Sequence, residues 1–255
     1  MGRFSWTAGI GLKRRERVWT LSLVCLACCA LTTCRAPGES SRTKSGHEAS
    51  VSPGVNEPYK NAKVDVWVER FEGESREIYK QRDRIAAAVG LKPGLVVADI
   101  GAGTGLYTMM FADLVGPTGK VFAVDITPEF IELIKQRARQ RGSVNVEPVL
   151  CAEDSVKLPP DSVDVAFVCD TYHHFEYPKS TLRSIQEALR PGGELIVVDF
   201  DRVPGKSRQW VLDHVRAGRE AVTREIEAAG FTLTREQPGY GFLEENYILR
   251  LRKAG

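Results

Sequence analysis

Three glycines at alternate positions, Gly101, Gly103 and Gly105, follow directly on Val96-Val97-Ala98-Asp99-Ile100, an apolar run that carries one carboxylate near its end. Glycine at such positions lets backbone pass close to a bound ligand, because no Cβ intervenes. The N–H groups that open the next helix have no intrahelical partner, and their partial positive charge suits a carboxylate or a phosphate. Further carboxylates recur where later apolar runs end: Asp125 closes Val121-Phe122-Ala123-Val124, Glu153 and Asp154 follow Cys151, and Asp170 follows Cys169. An acid roughly 20 residues beyond a glycine turn is placed to accept both hydroxyls of a ribose, and Asp125 stands at that distance. Asp170 opens the stretch Asp170-Thr171-Tyr172-His173-His174-Phe175, in which His173 or His174 can act as a general base toward a substrate atom that carries a proton. The same His-His-Phe can equally pack the following loop. Two adjacent histidines rarely share one ion without further ligands. The other two, His47 and His214, fall in the N-terminal stretch and in a distant helix, so no metal is expected.

The elements that must position these residues alternate along the chain. Apolar, β-branched runs near 95–100, 121–125, 146–150, 163–169 and 194–199 predict strands, and helical spacing near 106–114, 128–141, 179–189 and 219–229 predicts the helices between and after them. Two last strands are expected near 231–235 and 247–252, and a helical pattern through Ile78, Ile85 and Ala88 is expected to stop at Gly90. Such alternation builds a largely parallel sheet covered on both faces. Ligands of open α/β sheets bind at the carboxyl ends of the strands, where the strand order switches. On this plan Asp99, Gly101, Asp125, Asp154 and Asp170 converge on one edge.

Dinucleotide folds use G-x-G-x-x-G, whose last glycine allows close helix packing under a pyrophosphate, and Leu106 occupies that position here. The spacing G-x-G-x-G after Asp99 resembles instead the first motif of the class I S-adenosylmethionine-dependent methyltransferases. Val121–Asp125 resembles the family's second strand with its acid, and Cys151–Asp154 with Leu158-Pro159 its adenine-side loop. Asp161–Val168 is similar to the fourth strand and its entry, and Leu189-Arg190-Pro191-Gly192-Gly193-Glu194-Leu195 to the turn into the fifth. The likeness runs from about Trp67 to the C-terminus and is strongest to the small-molecule methyltransferases grouped with the quinone C-methyltransferases. It implies a Rossmann-like seven-stranded, mostly parallel sheet with helices on both faces, and S-adenosyl-L-methionine as cofactor. The resemblance places Gly101, Ala102, Gly103 and Gly105 along the methionine half of that cofactor and Asp99 at its ammonium. Asp125 and Ile126 fall at the ribose, Glu153 or Asp154 at the adenine amine, and Asp170 at the same edge. Tyr172, His173, His174, Trp210 and His214 fall where the family places acceptor-facing residues. The Asn-Pro-Pro-aromatic tetrad of amino-nitrogen methyltransferases is absent, which argues against a protein-amide or nucleobase-amine acceptor.

Residues 1–44 hold eight basic residues against Glu16 and Glu39, out of 35 basic and 33 acidic in all, so the remainder is mildly acidic at roughly −4. No basic footprint for a nucleic acid is present. Lys13-Arg14-Arg15-Glu16-Arg17 precedes an uncharged stretch, Val18 to Cys34, as in an export signal. Leu31-Thr32-Thr33-Cys34 resembles a bacterial lipoprotein box; an uncleaved signal anchor and an organelle presequence are the other readings. The expected organisation is a leader over 1–34, a flexible tether over 35–61 and a methyltransferase domain over 62–255. The expected location is the membrane of a bacterial cell envelope, with a cytoplasm-facing domain as the alternative. Four of the six cysteines lie in the leader; Cys151 and Cys169 end non-neighbouring strands and need no disulfide.

The leading expectation is therefore methyl transfer from S-adenosylmethionine to a small molecule, in which a base is needed only where the acceptor holds a proton. An exported protein would meet little of that cofactor, so a non-catalytic, envelope-tethered nucleoside-binding module of the same fold is the alternative. A nicotinamide oxidoreductase is third, opposed by Leu106.

Overall fold

The strand-forming runs that end in acids make the centre of a single sheet. The structure, a computed structural model, describes residues 48–236 and 241–254. In chain order its elements are α1 (Val64–Phe71), α2 (Glu77–Lys80), α3 (Arg82–Val89), β1 (Val96–Ile100), α4 (Leu106–Val115), β2 (Lys120–Asp125), α5 (Pro128–Arg141), β3 (Val146–Leu150) and β4 (Val163–Cys169). There follow α6 (Pro178–Ala188), β5 (Leu189–Phe200), α7 (Gln209–His214), α8 (Arg219–Ala228), β6 (Phe231–Glu236) and β7 (Asn246–Lys253). The strand order is β3-β2-β1-β4-β5-β7-β6, with β1 to β5 parallel and β7 antiparallel to both of its neighbours. The expected seven-stranded, mostly parallel sheet is therefore present.

Period-two alternation sends successive strand residues to opposite faces. Ala98, Ile100, Ala166 and Val168 pack against Leu182 and Ile185 of α6 and Val222 and Ile226 of α8. Val97, Val121, Val165 and Phe167 pack against Ile85 of α3 and Phe111 and Val115 of α4. Ile134 and Ala138 of α5 join Met109 and Ala123 on the α4 side. Both faces are thus closed by apolar side chains, and only the carboxyl ends of the strands are left to line a cleft.

Three local expectations need correction. The helical pattern through Ile78, Ile85 and Ala88 is two helices, α2 and α3, parted at Gln81, and α1 stands apart from them across Gly73, a poor helix former. The Glu77 carboxylate then holds α2 to the far edge by accepting the backbone N–H groups of Glu244, Glu245 and Asn246. Leu189–Gly193, expected as a turn, is the beginning of β5, and its irregularity is a register shift between Val163 and Val165 on β4. The tether expected over 35–61 ends earlier, because residues 48–61 lie on the domain. Glu48 accepts the N–H groups of Lys179 and Ser180 at the start of α6, while the Ser50 hydroxyl and the Gly54 N–H donate to Glu176. Polar residues that read as solvated instead satisfy otherwise unpaired helix-end donors. The leader, 1–34, and residues 35–47 of the tether lie outside the described residues. Among the described residues no helix is long and apolar enough to cross a membrane. Cys151 and Cys169 are free thiols, their strands separated by β2 and β1.

Candidate active site

A cavity of about 860 Å³ opens at the carboxyl ends of β1, β2 and β4. Its floor is the bend after β1. Gly101 holds φ +71°, and a Cβ there would stand 2.2 Å from Thr171 Cγ2. Only glycine lets Thr171 close over this backbone. Gly101, Ala102 and Gly103 all form cavity wall, and so do Asp99, Asp125 and Ile126. Gly105 does not. It is the N-cap of α4 at φ +82°, and its missing Cβ makes room for Ile134, so its part is helix packing rather than cofactor contact.

Asp125 is buried and fixed by two backbone donors, the Gly103 N–H to Oδ2 at 2.8 Å and the Thr127 N–H to Oδ1 at 2.8 Å. Each oxygen keeps lone-pair capacity for a further donor. Burial raises its pKa, against the lowering effect of those N–H groups. Asp99 is also buried, and the Thr108 hydroxyl donates to its Oδ2 at 2.6 Å. Burial pushes this carboxyl up to about 7, with the charge of Asp125 adding to the shift. A site that holds two carboxylates short of solvent is poised for a ligand that brings positive charge and hydroxyl donors.

Glu153 reaches the wall beside Cys151, Ala152 and Val156, whereas Asp154 is exposed and takes no part in it. Asp170 lines the cavity with one hydrogen bond already on each carboxylate oxygen. Arg76 Nη2 donates to its Oδ2 at 2.5 Å and Asn246 Nδ2 to its Oδ1 at 2.7 Å, so it braces α2 and β7 across the cleft. Burial, partly offset by Arg76, raises it to about 6.

Residues 91–246 match the family described as "Methyltransferase domain". The chain belongs to that family. Among curated relatives, a ubiquinone/menaquinone biosynthesis C-methyltransferase UbiE of Ectopseudomonas mendocina (strain ymp) is 34% identical over 117 residues, 46% of this chain and 45% of the relative. The UbiE of Shewanella sp. (strain ANA-3) is 27% identical over 158 residues, 62% of this chain and 61% of the relative. The matched part thus spans about half to three fifths of these relatives' length. A solved S-adenosylmethionine-dependent methyltransferase from Aquifex aeolicus is 25% identical with a TM-score of 0.59, over 67% of this chain and 88% of that one. Family and fold imply S-adenosylmethionine as the cofactor.

The residues expected to face an acceptor fall into two groups. His173, His174, Trp210 and His214 line the cavity. Tyr172 does not: it is fully buried beneath the sheet edge, its hydroxyl donates to Glu225 Oε2 at 3.0 Å, and Arg216 covers its ring. A buried Tyr needs a partner for its hydroxyl, and the half-buried Glu225 supplies one away from the cavity. His214, expected in a distant helix, is brought by α7 to within 3.4 Å of His174, Nε2 to Nε2. His173 Nδ1 lies 2.7 Å from Asp199 Oδ1, and the His173 N–H donates to the other carboxylate oxygen. Burial pushes the His173 imidazole down, but the charge and hydrogen bond of Asp199 outweigh it, so the net shift is up. His174 goes the other way, to about 2, through burial and then the neighbouring His173 and His214. Of the pair, His173 is the one equipped to hold a proton.

Several site residues escaped sequence reasoning. Asp199 carried a signal, since it closes Ile196-Val197-Val198 as Asp99 and Asp125 close theirs. Thr108 and Arg76 carried none, because their value lies in which carboxylate they meet. Tyr59, in the supposed tether, packs 4.7 Å from Trp67 and edge-on to His174 at 5.2 Å, roofing the cavity together with Phe71 and Phe130.

Proposed function

We propose that this domain transfers a methyl group from S-adenosylmethionine to a small, largely apolar acceptor. The observation that carries the reading is the pair of buried carboxylates, Asp99 and Asp125, in one cavity wall on either side of the open Gly101–Gly103 backbone. Asp99 would take the ammonium of the cofactor and Asp125 its ribose hydroxyls. The adenine would lie between Ile126 and the Cys151–Glu153 loop over Val156, with Glu153 in reach of its amine. When bound, the cofactor supplies a methyl carbon already activated by a sulfonium. The chain's own part is alignment and exclusion of water: Tyr59, Phe71 and Phe130 cover the cleft, and Phe200 and Trp210, 4.8 Å apart and edge to face, give the acceptor an apolar wall. Where the acceptor loses a proton, His173, oriented by Asp199, is placed to hold it.

An acceptor of this kind is in keeping with relatives whose names place them in ubiquinone and menaquinone biosynthesis. We also propose that the leader, with Lys13–Arg17 ahead of an uncharged apolar stretch, holds the protein at a bacterial envelope membrane where such acceptors dissolve. Calorimetry on the purified full chain tests the cofactor assignment. Saturable S-adenosylmethionine binding is expected, and Asp125→Ala is expected to weaken it by about 1.5–3 kcal/mol for the loss of a charged acceptor. No binding, or an unchanged affinity in Asp125→Ala, overturns the reading. Binding with no methyl transfer to any phenolic, quinol or thiol acceptor would assign the chain to the non-catalytic nucleoside-binding class.

A further inference from the structure

We propose that His173, His174 and His214 form a binding site for one divalent transition-metal ion of the zinc class, with a coordination position open to the acceptor. One ring nitrogen from each lies within 4.8 Å of the others, and His174 Nε2 and His214 Nε2 stand 3.4 Å apart. Imidazole nitrogens about 2.0–2.1 Å from a tetrahedral ion stand about 3.4 Å from one another, so the pair already has the required separation. The third imidazole, His173, has a ring nitrogen within 4.8 Å of both.

What stands behind the rings makes this more than a crowd of histidines. His173 Nδ1 is committed to Asp199 Oδ1 at 2.7 Å, which leaves its Nε2 lone pair as the free donor, and an ion held there takes the place of the proton that His173 would otherwise accept. Asp199 is itself 1% exposed and fixed by the N–H groups of His173 and Phe200. A carboxylate behind an imidazole is the arrangement that orients a metal-bound histidine and raises its basicity. His174 Nδ1 is buried without a hydrogen-bond partner. Its Nε2 faces both His214 and the Tyr59 hydroxyl, the latter at 3.3 Å.

Three imidazoles and no thiolate suit zinc, cobalt, nickel, copper or iron and disfavour magnesium and calcium. All three rings also line the cavity, over the β4–β5 side of a sheet whose β1–β2 side carries Asp99 and Asp125. An ion here would have three protein ligands and an open fourth position, the pattern of reactive rather than structural sites. A hydroxyl or thiol bound there would ionise at a lower pH, which would prepare it as a nucleophile. The metal site itself stands independently of the methyltransferase reading; only the open position's use by an acceptor rests on it.

The test uses the full chain with Cys25, Cys28, Cys29 and Cys34 replaced by serine, stripped with a chelator. Cobalt(II) is titrated with visible absorption as the readout and zinc(II) by calorimetry, both without S-adenosylmethionine. One equivalent is expected to bind, with the intense d–d absorption of tetrahedral cobalt. His214→Ala changes an exposed side chain, so its fold is retained, and it should weaken binding at least tenfold. Asp199→Asn should weaken it by about 10- to 100-fold. Lys135→Ala, on the exposed face of α5 and outside the cavity, should leave it unchanged. Absence of saturable binding, octahedral cobalt with no loss in His214→Ala, or equal affinity in all variants overturns the proposal. Cofactor binding measured on the same metal-free protein is a separate readout: its retention with no metal binding sinks the metal alone, and its loss with metal binding intact sinks the methyltransferase reading alone.

Discussion

Replacing Gly101 with alanine tests whether the bend after β1 is as constrained as its contacts indicate. Two penalties follow from the structure. The residue holds φ +71°, and a non-glycine residue in that left-handed region costs roughly 1–2 kcal/mol. The added Cβ would stand 2.2, 2.4 and 2.8 Å from Thr171 Cγ2, Oγ1 and Cβ. Rotating the Thr171 side chain cannot relieve the last of these, and overpacking of this kind costs about 1–3 kcal/mol. Gly101→Ala should therefore destabilise the domain by about 2–5 kcal/mol in urea unfolding and weaken S-adenosylmethionine binding through the displaced backbone. The two penalties separate in a double-mutant cycle with Thr171→Gly. The double variant should recover the steric part, a coupling of about 1–3 kcal/mol, and keep the backbone part. A Gly101→Ala protein within about 0.5 kcal/mol of the parent, or a coupling near zero, would refute the reasoning.

Asp99 gives a stability signature in pH. Its folded-state pKa of about 7 lies above the unfolded value, so its neutral form favours the fold; that contribution is complete below about pH 4 and is lost as pH rises to 7, by about 1.4 kcal/mol per unit. Denaturant midpoints of Asp99→Asn should lack this fall between pH 4 and 7, and an identical slope in both proteins would count against the burial of that carboxyl. Tyr172→Phe should cost about 1 kcal/mol of stability, because Glu225 keeps its Arg216 pairing, and should leave cofactor affinity untouched by calorimetry; a change in affinity would return Tyr172 to the pocket. Arg76→Met leaves Asp170 buried beside Asn246 alone, so it should destabilise by about 3–5 kcal/mol at pH 8 and by less at pH 5, where the carboxyl is protonated. Equal losses at both pH values would show that Asp170 does not titrate there.

The sequence by itself determined the elements and their order. Runs such as Val96–Ile100 and Val121–Asp125 are apolar on both faces because the sheet is covered on both faces, and that property is written in consecutive residues. It also placed Asp99, Asp125 and the glycine bend at one edge, since parallel strands all end on the same side. What it left open is which side chains meet across elements. His173 and Asp199 are 26 residues apart and His174 and His214 are 40 apart; they meet because β5 runs parallel beside β4 and delivers α7 back over the same strand ends. That Arg76 and Asn246 brace Asp170, and that the Tyr172 hydroxyl turns to Glu225 and not to the cavity, follows only from how the elements assemble. Periodicity reports how a segment faces its own layer. The partner of a buried polar group is chosen by the packing of whole layers, and only the tertiary structure records that choice.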